Sequence, residues 1–154
     1  MKLANNALFP HWCIVGFMLI ALITYVVIGH YYFGHGLESP LPEDKRVLIR
    51  SIFYVLAIIT FPIINLIRHI QLRLNQTMPG SKSAKSRYLM TVIVSMVLVE
   101  GVGVLGFVMF MLGDDFNTLH IFTGLSALGL YLYRPKQEEY QDIVNALTEH
   151  GNDF

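Results

Sequence analysis

The side chain best placed to do chemistry in this 154-residue sequence is Glu100. It interrupts an otherwise uncharged apolar run, residues 88–112, within one residue of the midpoint. If that run is a membrane helix, its carboxyl lies about 18 Å along the axis from either end. An ionised carboxylate at that depth costs several kcal/mol or more, so such groups face a bundle interior or a watery path. A carboxyl that is neutral in hydrocarbon and ionised when it meets water or a cation can carry a proton or a Na⁺. The structural alternative is a protonated Glu100 that donates a hydrogen bond to another helix. Hydroxyls that could complete a small-cation site are Thr60, near the midpoint of the preceding apolar run, and Ser95. Thr24 and Ser126 also fall near mid-membrane. Pro62 removes one backbone donor, which frees the carbonyl around Ile58 as a further acceptor. At 100° per residue, Met96, Gly103 and Phe107 share the helix face of Glu100. Gly101, Gly103 and Gly106 are expected to serve helix packing, with Gly103 letting a neighbour approach beside the carboxyl. Thr91, Ser95 and Gly106 form a second seam on a different face.

The six histidines are the other candidate chemistry. His30 and His120 fall at matching depths towards the end of one apolar run and the start of another, with His35, Asp114 and Asp115 near them in sequence. Such a pair could bind Zn²⁺ or Cu²⁺, or hold a b-type haem as axial ligands. Beside Tyr31, Tyr32 and Phe33, histidines more often belong to an aromatic belt at a membrane boundary. His11 and Trp12 mark the opposite boundary in the same way. The single cysteine, Cys13, excludes an intrachain disulfide and a Cys-based zinc or iron–sulfur site within one chain. Residues 101–106 match G-x-G-x-x-G, but that pattern binds a dinucleotide only at a strand-to-helix turn, and here it lies within an apolar helix. No nucleophile–His–carboxylate set is assignable.

These residues must be positioned by four apolar runs. Residues 12–33 contain no charge, residues 47–67 contain only Arg50, residues 88–112 contain only Glu100, and residues 116–133 contain none. A span of about 20 helical residues crosses a hydrocarbon core of roughly 30 Å. The runs are apolar all round, which suits lipid or bundle burial rather than a soluble amphipathic helix. Composition agrees: 54% of residues are hydrophobic and 14% charged, against about 25% charged in soluble domains. Lys+Arg and Asp+Glu both total 11, so no basic surface for nucleic acid is implied. Ser39-Pro40 ends the first helix, and Met78-Pro79-Gly80-Ser81 is a turn signal between the second and third. The first run is too long and starts too far along for a cleaved signal peptide, and no A-x-A-like site follows, so it reads as a retained signal anchor.

Orientation follows from the connections. Lys2, Arg68, Arg73, Lys82, Lys85, Arg87, Arg134 and Lys136 share one side; Lys45, Arg46 and Arg50 hold the other. The richer side is expected to be cytoplasmic, with both termini there. Beyond Pro135, Tyr140, Ile143, Val144 and Leu147 recur at helical spacing among acidic residues, which predicts a short amphipathic helix on the cytoplasmic face or docked on a partner.

Residues 95–108, Ser-Met-Val-Leu-Val-Glu-Gly-Val-Gly-Val-Leu-Gly-Phe-Val, resemble the carboxylate-bearing helix of the proteolipid c subunit family of rotary ATP synthases. The likeness rests on a small-residue-rich helix, a mid-membrane Glu, Gly106 six positions later and Arg87 at the entry of the helix. It covers about 25 residues, and the glycine ladder of the family's other helix is absent from residues 51–67. The resemblance implies that Glu100 binds a proton or Na⁺.

The sequence therefore predicts an all-α, integral membrane four-helix bundle, with a membrane domain over residues 1–135 and a cytoplasmic tail over 136–154. The expected setting is a bacterial inner membrane, crossed several times. The expected role is a small subunit of a larger membrane complex, in contact with lipid and with other membrane-protein subunits or itself. The alternatives are a homo-oligomeric proton- or Na⁺-conducting protein, and a haem- or copper-binding redox protein using His30 and His120. No catalytic constellation points to an enzyme, and no cofactor is otherwise called for.

Overall fold

The computed structural model describes residues 2–32, 41–78 and 82–151. They form five helices: α1 (Lys2–Tyr32), α2 (Glu43–Thr77), α3 (Ala84–Met111), α4 (Phe116–Leu132) and α5 (Gln137–Gly151). Residues 33–40, 79–81 and 152–154, and with them His35 and the expected Ser39-Pro40 and Pro79-Gly80-Ser81 turn signals, lie outside the described residues. Three helices, α1, α2 and α3, are long and apolar enough to cross a membrane. The fourth apolar run forms a helix of only 17 residues.

Local chemistry accounts for the helix ends. Glu43 and Asp44 occupy the first turn of α2, where carboxylates complement the helix dipole. Ser83 caps α3 by accepting from the Ser86 amide, and Asp115 caps α4 by accepting from the Thr118 amide at 3.0 Å. Between them Gly113 takes a positive φ of 91°, open to glycine at no steric cost. Two elements run further than the sequence predicts. α1 starts at Lys2 and carries Pro10 inside it, and α2 continues ten residues past the apolar run. The extension of α2 is amphipathic, with Arg68, Leu72 and Asn75 turned inward at spacings of three and four, so tertiary packing keeps it helical.

α3 is the central element and packs against each of the other four helices. Half of its apolar stretch is buried, against 11% for α1 and for α2. The outer faces of α1 and α2 accordingly present Phe17, Ile20, Ile58 and Leu66 at 60% exposure or more. A contiguous apolar exterior of this kind is a lipid-facing surface. The main core joins Leu8 and Leu22 of α1, Ile64 of α2, Val92, Met96 and Val99 of α3, Leu130 of α4 and Ile143 of α5. A smaller cluster joins Ala57, Val102 and Phe122.

At one end of the molecule the α3–α4 turn is tied to the start of α2. Arg46 donates to the Gly113 carbonyl at 2.7 Å, and Arg50 pairs with the buried Asp114 at 3.1 Å. At the other end α5 folds back beneath the bundle against α2 and α3. Its apolar stripe therefore meets the protein's own helices, not the flat lipid surface or partner that the sequence allowed.

Candidate functional site

Glu100 sits on α3 with 8% of its surface exposed, turned into the bundle and away from lipid. Both carboxyl oxygens are buried, and neither makes a hydrogen bond of good geometry. The hydroxyl of Tyr25, on α1, lies near the carboxyl. Tyr25 is held there by stacking on Phe107, two turns along α3 from Glu100, with ring centroids 5.3 Å apart. The sequence placed Phe107 on this face but did not single out Tyr25. A tyrosine in the middle of an apolar run was the available signal, since its hydroxyl needs a partner in hydrocarbon.

The glycines near the carboxyl divide. A Cβ on Gly103 would come within 2.4 Å of Leu22 and 3.3 Å of the Ser126 hydroxyl, so its bareness lets α1 and α4 close beside Glu100. A Cβ on Gly106 would meet Phe122 at 2.4 Å. Gly129, on α4, gives the same clearance to Val99. Gly101 has open space around it and is exposed, so the expected packing role is corrected there. At 100° per residue it projects from the far side of the seam made by Gly103 and Gly106.

The hydroxyls expected beside Glu100 are engaged elsewhere. Thr60 donates to the Leu56 carbonyl on its own helix at 2.7 Å, and Thr24 does the same to Ile20. Ser126 donates to the Val99 carbonyl at 2.9 Å, bridging α4 to α3 one residue before Glu100. Ser95 donates to the Thr91 carbonyl and accepts from Arg68 at 3.3 Å. Among the described residues neither Thr60 nor Ser95 is hydrogen-bonded to Glu100: Thr60 bonds within its own helix, and Ser95 bonds Thr91 and Arg68. The backbone near Pro62 is used as an acceptor, but through Phe61, whose carbonyl takes the Tyr133 hydroxyl at 3.0 Å.

A second polar cluster lies at the α5 end. The Arg68 guanidinium is buried, with 6% of its side chain exposed, and pairs with Glu139 of α5 at 2.6 Å. It also donates to the carbonyls of Tyr133 and Arg134, at 2.9 and 3.4 Å, and to Ser95. Tyr88 donates to Glu139 at 3.0 Å and accepts from the Lys136 amide at 2.7 Å. Counted in the sequence only as a loop cation, Arg68 is a buried strut joining α2, α3 and α5. Arg87, counted likewise, closes the α2–α3 connection by donating to the carbonyls of Asn75, Met78 and Lys82. Neither role was readable from one residue, since each needs carbonyls brought in from other elements.

His30 and His120 do come together, with ring centroids 5.8 Å apart and planes at 87°. Both are exposed and pack around Phe116. His120 Nδ1 lies 2.6 Å from the Phe116 carbonyl. Asp114, a suggested further ligand, is taken by Arg50. The described residues contain no group of three or more His, Cys, Asp or Glu arranged for a metal. His11 departs from the boundary role expected of it. It is fully buried, its ring 5.1 Å from that of Tyr88, whereas Trp12 is 48% exposed.

No family model, curated protein or solved structure matches this chain.

Proposed function

We propose that this protein is a small integral subunit of a larger assembly in a bacterial inner membrane, and that Glu100 is its protonatable group. In this reading α4 is a fourth, short span, and both termini lie on the cytoplasmic side. The observation that carries the role of Glu100 is the state of its carboxyl: buried at the α1–α3 contact, near mid-span, with neither oxygen in a strong hydrogen bond. Buried polar atoms are nearly always satisfied, so an unsatisfied carboxyl marks a site that takes up a proton or cation or that meets a partner's donor. The likeness of residues 95–108 to the c-subunit carboxylate helix supports the first of these. The short connections between the described helices support a subunit role, since they leave little room for a soluble active site among the described residues.

Dicyclohexylcarbodiimide modifies protonated carboxyls in apolar surroundings. We expect mass spectrometry to find the label on Glu100, with a yield that falls as pH rises, and none at that position in Glu100→Gln. Absence of label on Glu100 across pH overturns the protonatable role. Native mass spectrometry after gentle extraction is expected to find the chain with other subunits; a homo-oligomer would favour a self-contained conductor, and a monomer would overturn the assembly role.

A further inference from the structure

A cavity of about 400 Å³ opens between the C-terminal half of α2, the end of α4 and α5. Asn65, Arg68 and His69 line it from α2, and Tyr133, Lys136 and Glu139 from the α4–α5 region. It is independent of Glu100, which is on α3 and does not line it. Its depth is set by the apolar runs that end beside it. The run on α2 stops at residue 67, and α4 stops at Leu132. That is the level where hydrocarbon gives way to headgroups.

The charges around the cavity select an anion. Arg68 is fixed in place by the Tyr133 carbonyl, Ser95 and Glu139, and supplies a permanent positive charge at the floor. Lys136 is half exposed, and its nearest carboxylate oxygen, on Glu139, is 4.0 Å away, so its ammonium retains donors for a ligand. The ring of His69 and the amide of Asn65 belong to exposed residues at the rim. Two cations against one carboxylate leave a net positive site even with His69 neutral. On the span side the walls turn apolar. Leu132 lines the cavity, Leu128 lies one helical turn before it, and Ile58 lies two turns before Asn65; all three are exposed. A cationic cradle with an apolar approach from the bilayer matches a phosphate that carries acyl chains.

We propose that this cavity binds a phosphate ester, and that the ester is the headgroup of an anionic phospholipid. Lys136, His69 and Asn65 hold the phosphate, Arg68 sets the field, and the chains run along Leu128, Leu132 and Ile58.

The test is native mass spectrometry of the full chain from neutral detergent, titrated with phosphatidylglycerol, with phosphatidylcholine, and separately with glycerol 3-phosphate. Lys136→Gln, His69→Gln and the double variant are compared with Lys136→Arg, and a thermal melt in neutral detergent verifies that each is folded. We expect phosphatidylglycerol to bind more tightly than phosphatidylcholine, with affinity falling about five-fold in Lys136→Gln and returning in Lys136→Arg. Binding of glycerol 3-phosphate with the same dependence on Lys136 would retain the phosphate site and overturn its lipid source. Equal binding of the two lipids, or a preference that survives the double variant, overturns the proposal. Neither result bears on the labelling of Glu100, so the two readings fail separately.

Discussion

A buried and a half-buried acid side chain, Glu100 and Glu139, are handled in opposite ways. Glu139 is answered by Arg68 and Tyr88, and its partner Arg68 has 6% of its side chain exposed. Removing one member of such a pair leaves an uncompensated charge, which costs about 3–5 kcal/mol. Glu139→Gln is therefore expected to lower unfolding stability in mixed micelles by about 3 kcal/mol, and to speed amide exchange throughout α5. Replacing both partners with apolar residues (Arg68→Met with Glu139→Leu) should cost less than the sum of the single changes. Tyr88→Phe removes the hydroxyl between Glu139 and the Lys136 amide and is expected to cost about 1–2 kcal/mol in the same measurement. Glu100 has no such answer, and that difference separates a structural strut from a candidate site. The depth of Glu100 was plain from an isolated charge in an apolar run. Its proximity to Tyr25 was not, because two residues 75 positions apart meet only once α1 is laid against α3.

At the scale of the helices, close approach depends on which glycines face a neighbour. Gly106→Ala would drive a methyl into Phe122 at its Cβ, next to the backbone of α4, where little can yield. A loss of about 1–3 kcal/mol is expected. Gly103→Ala meets the far end of the Leu22 side chain, which can rotate, so its cost should be the smaller. Gly101→Ala points into open space and should be neutral, or stabilising by up to about 1 kcal/mol through helix propensity. A melting series over these three variants checks the order, and an equal loss at Gly101 would contradict the packing described. All three glycines look alike in the sequence; only the azimuth of neighbouring helices distinguishes them. The apolar runs, by contrast, located α1 to α4 well, because one composition rule governs every residue of a lipid-facing helix. The ends of α1 and α2 were misjudged where polar turns remain helical through packing, which hydropathy does not register.

For the molecule as a whole, α3 forms the axis, α1 and α2 turn apolar faces outward, and α5 closes one end. The proposed topology places that closed end in the cytoplasm. In a Cys13→Ser background, Thr148→Cys and Lys82→Cys should react with an impermeant maleimide from the same side of oriented vesicles, and Lys45→Cys from the opposite side. Reaction of Lys45→Cys and Thr148→Cys from one side would exclude an odd number of crossings between them, and with it α4 as a further span. The sequence alone determined the all-helical class, the membrane-spanning character and the depth of the one isolated carboxyl. Each of these follows from the cost of exposing polar backbone or charge to hydrocarbon, and that cost is summed along the chain without regard to neighbours. Tertiary structure decided which side chains meet: Tyr25 with Glu100, Arg68 with Glu139, His30 with His120, and α5 with the bundle instead of the bilayer. Such pairings depend on the rotation and side-by-side order of the helices, which are set by shape complementarity between elements distant in the chain, and hydropathy carries no term for that.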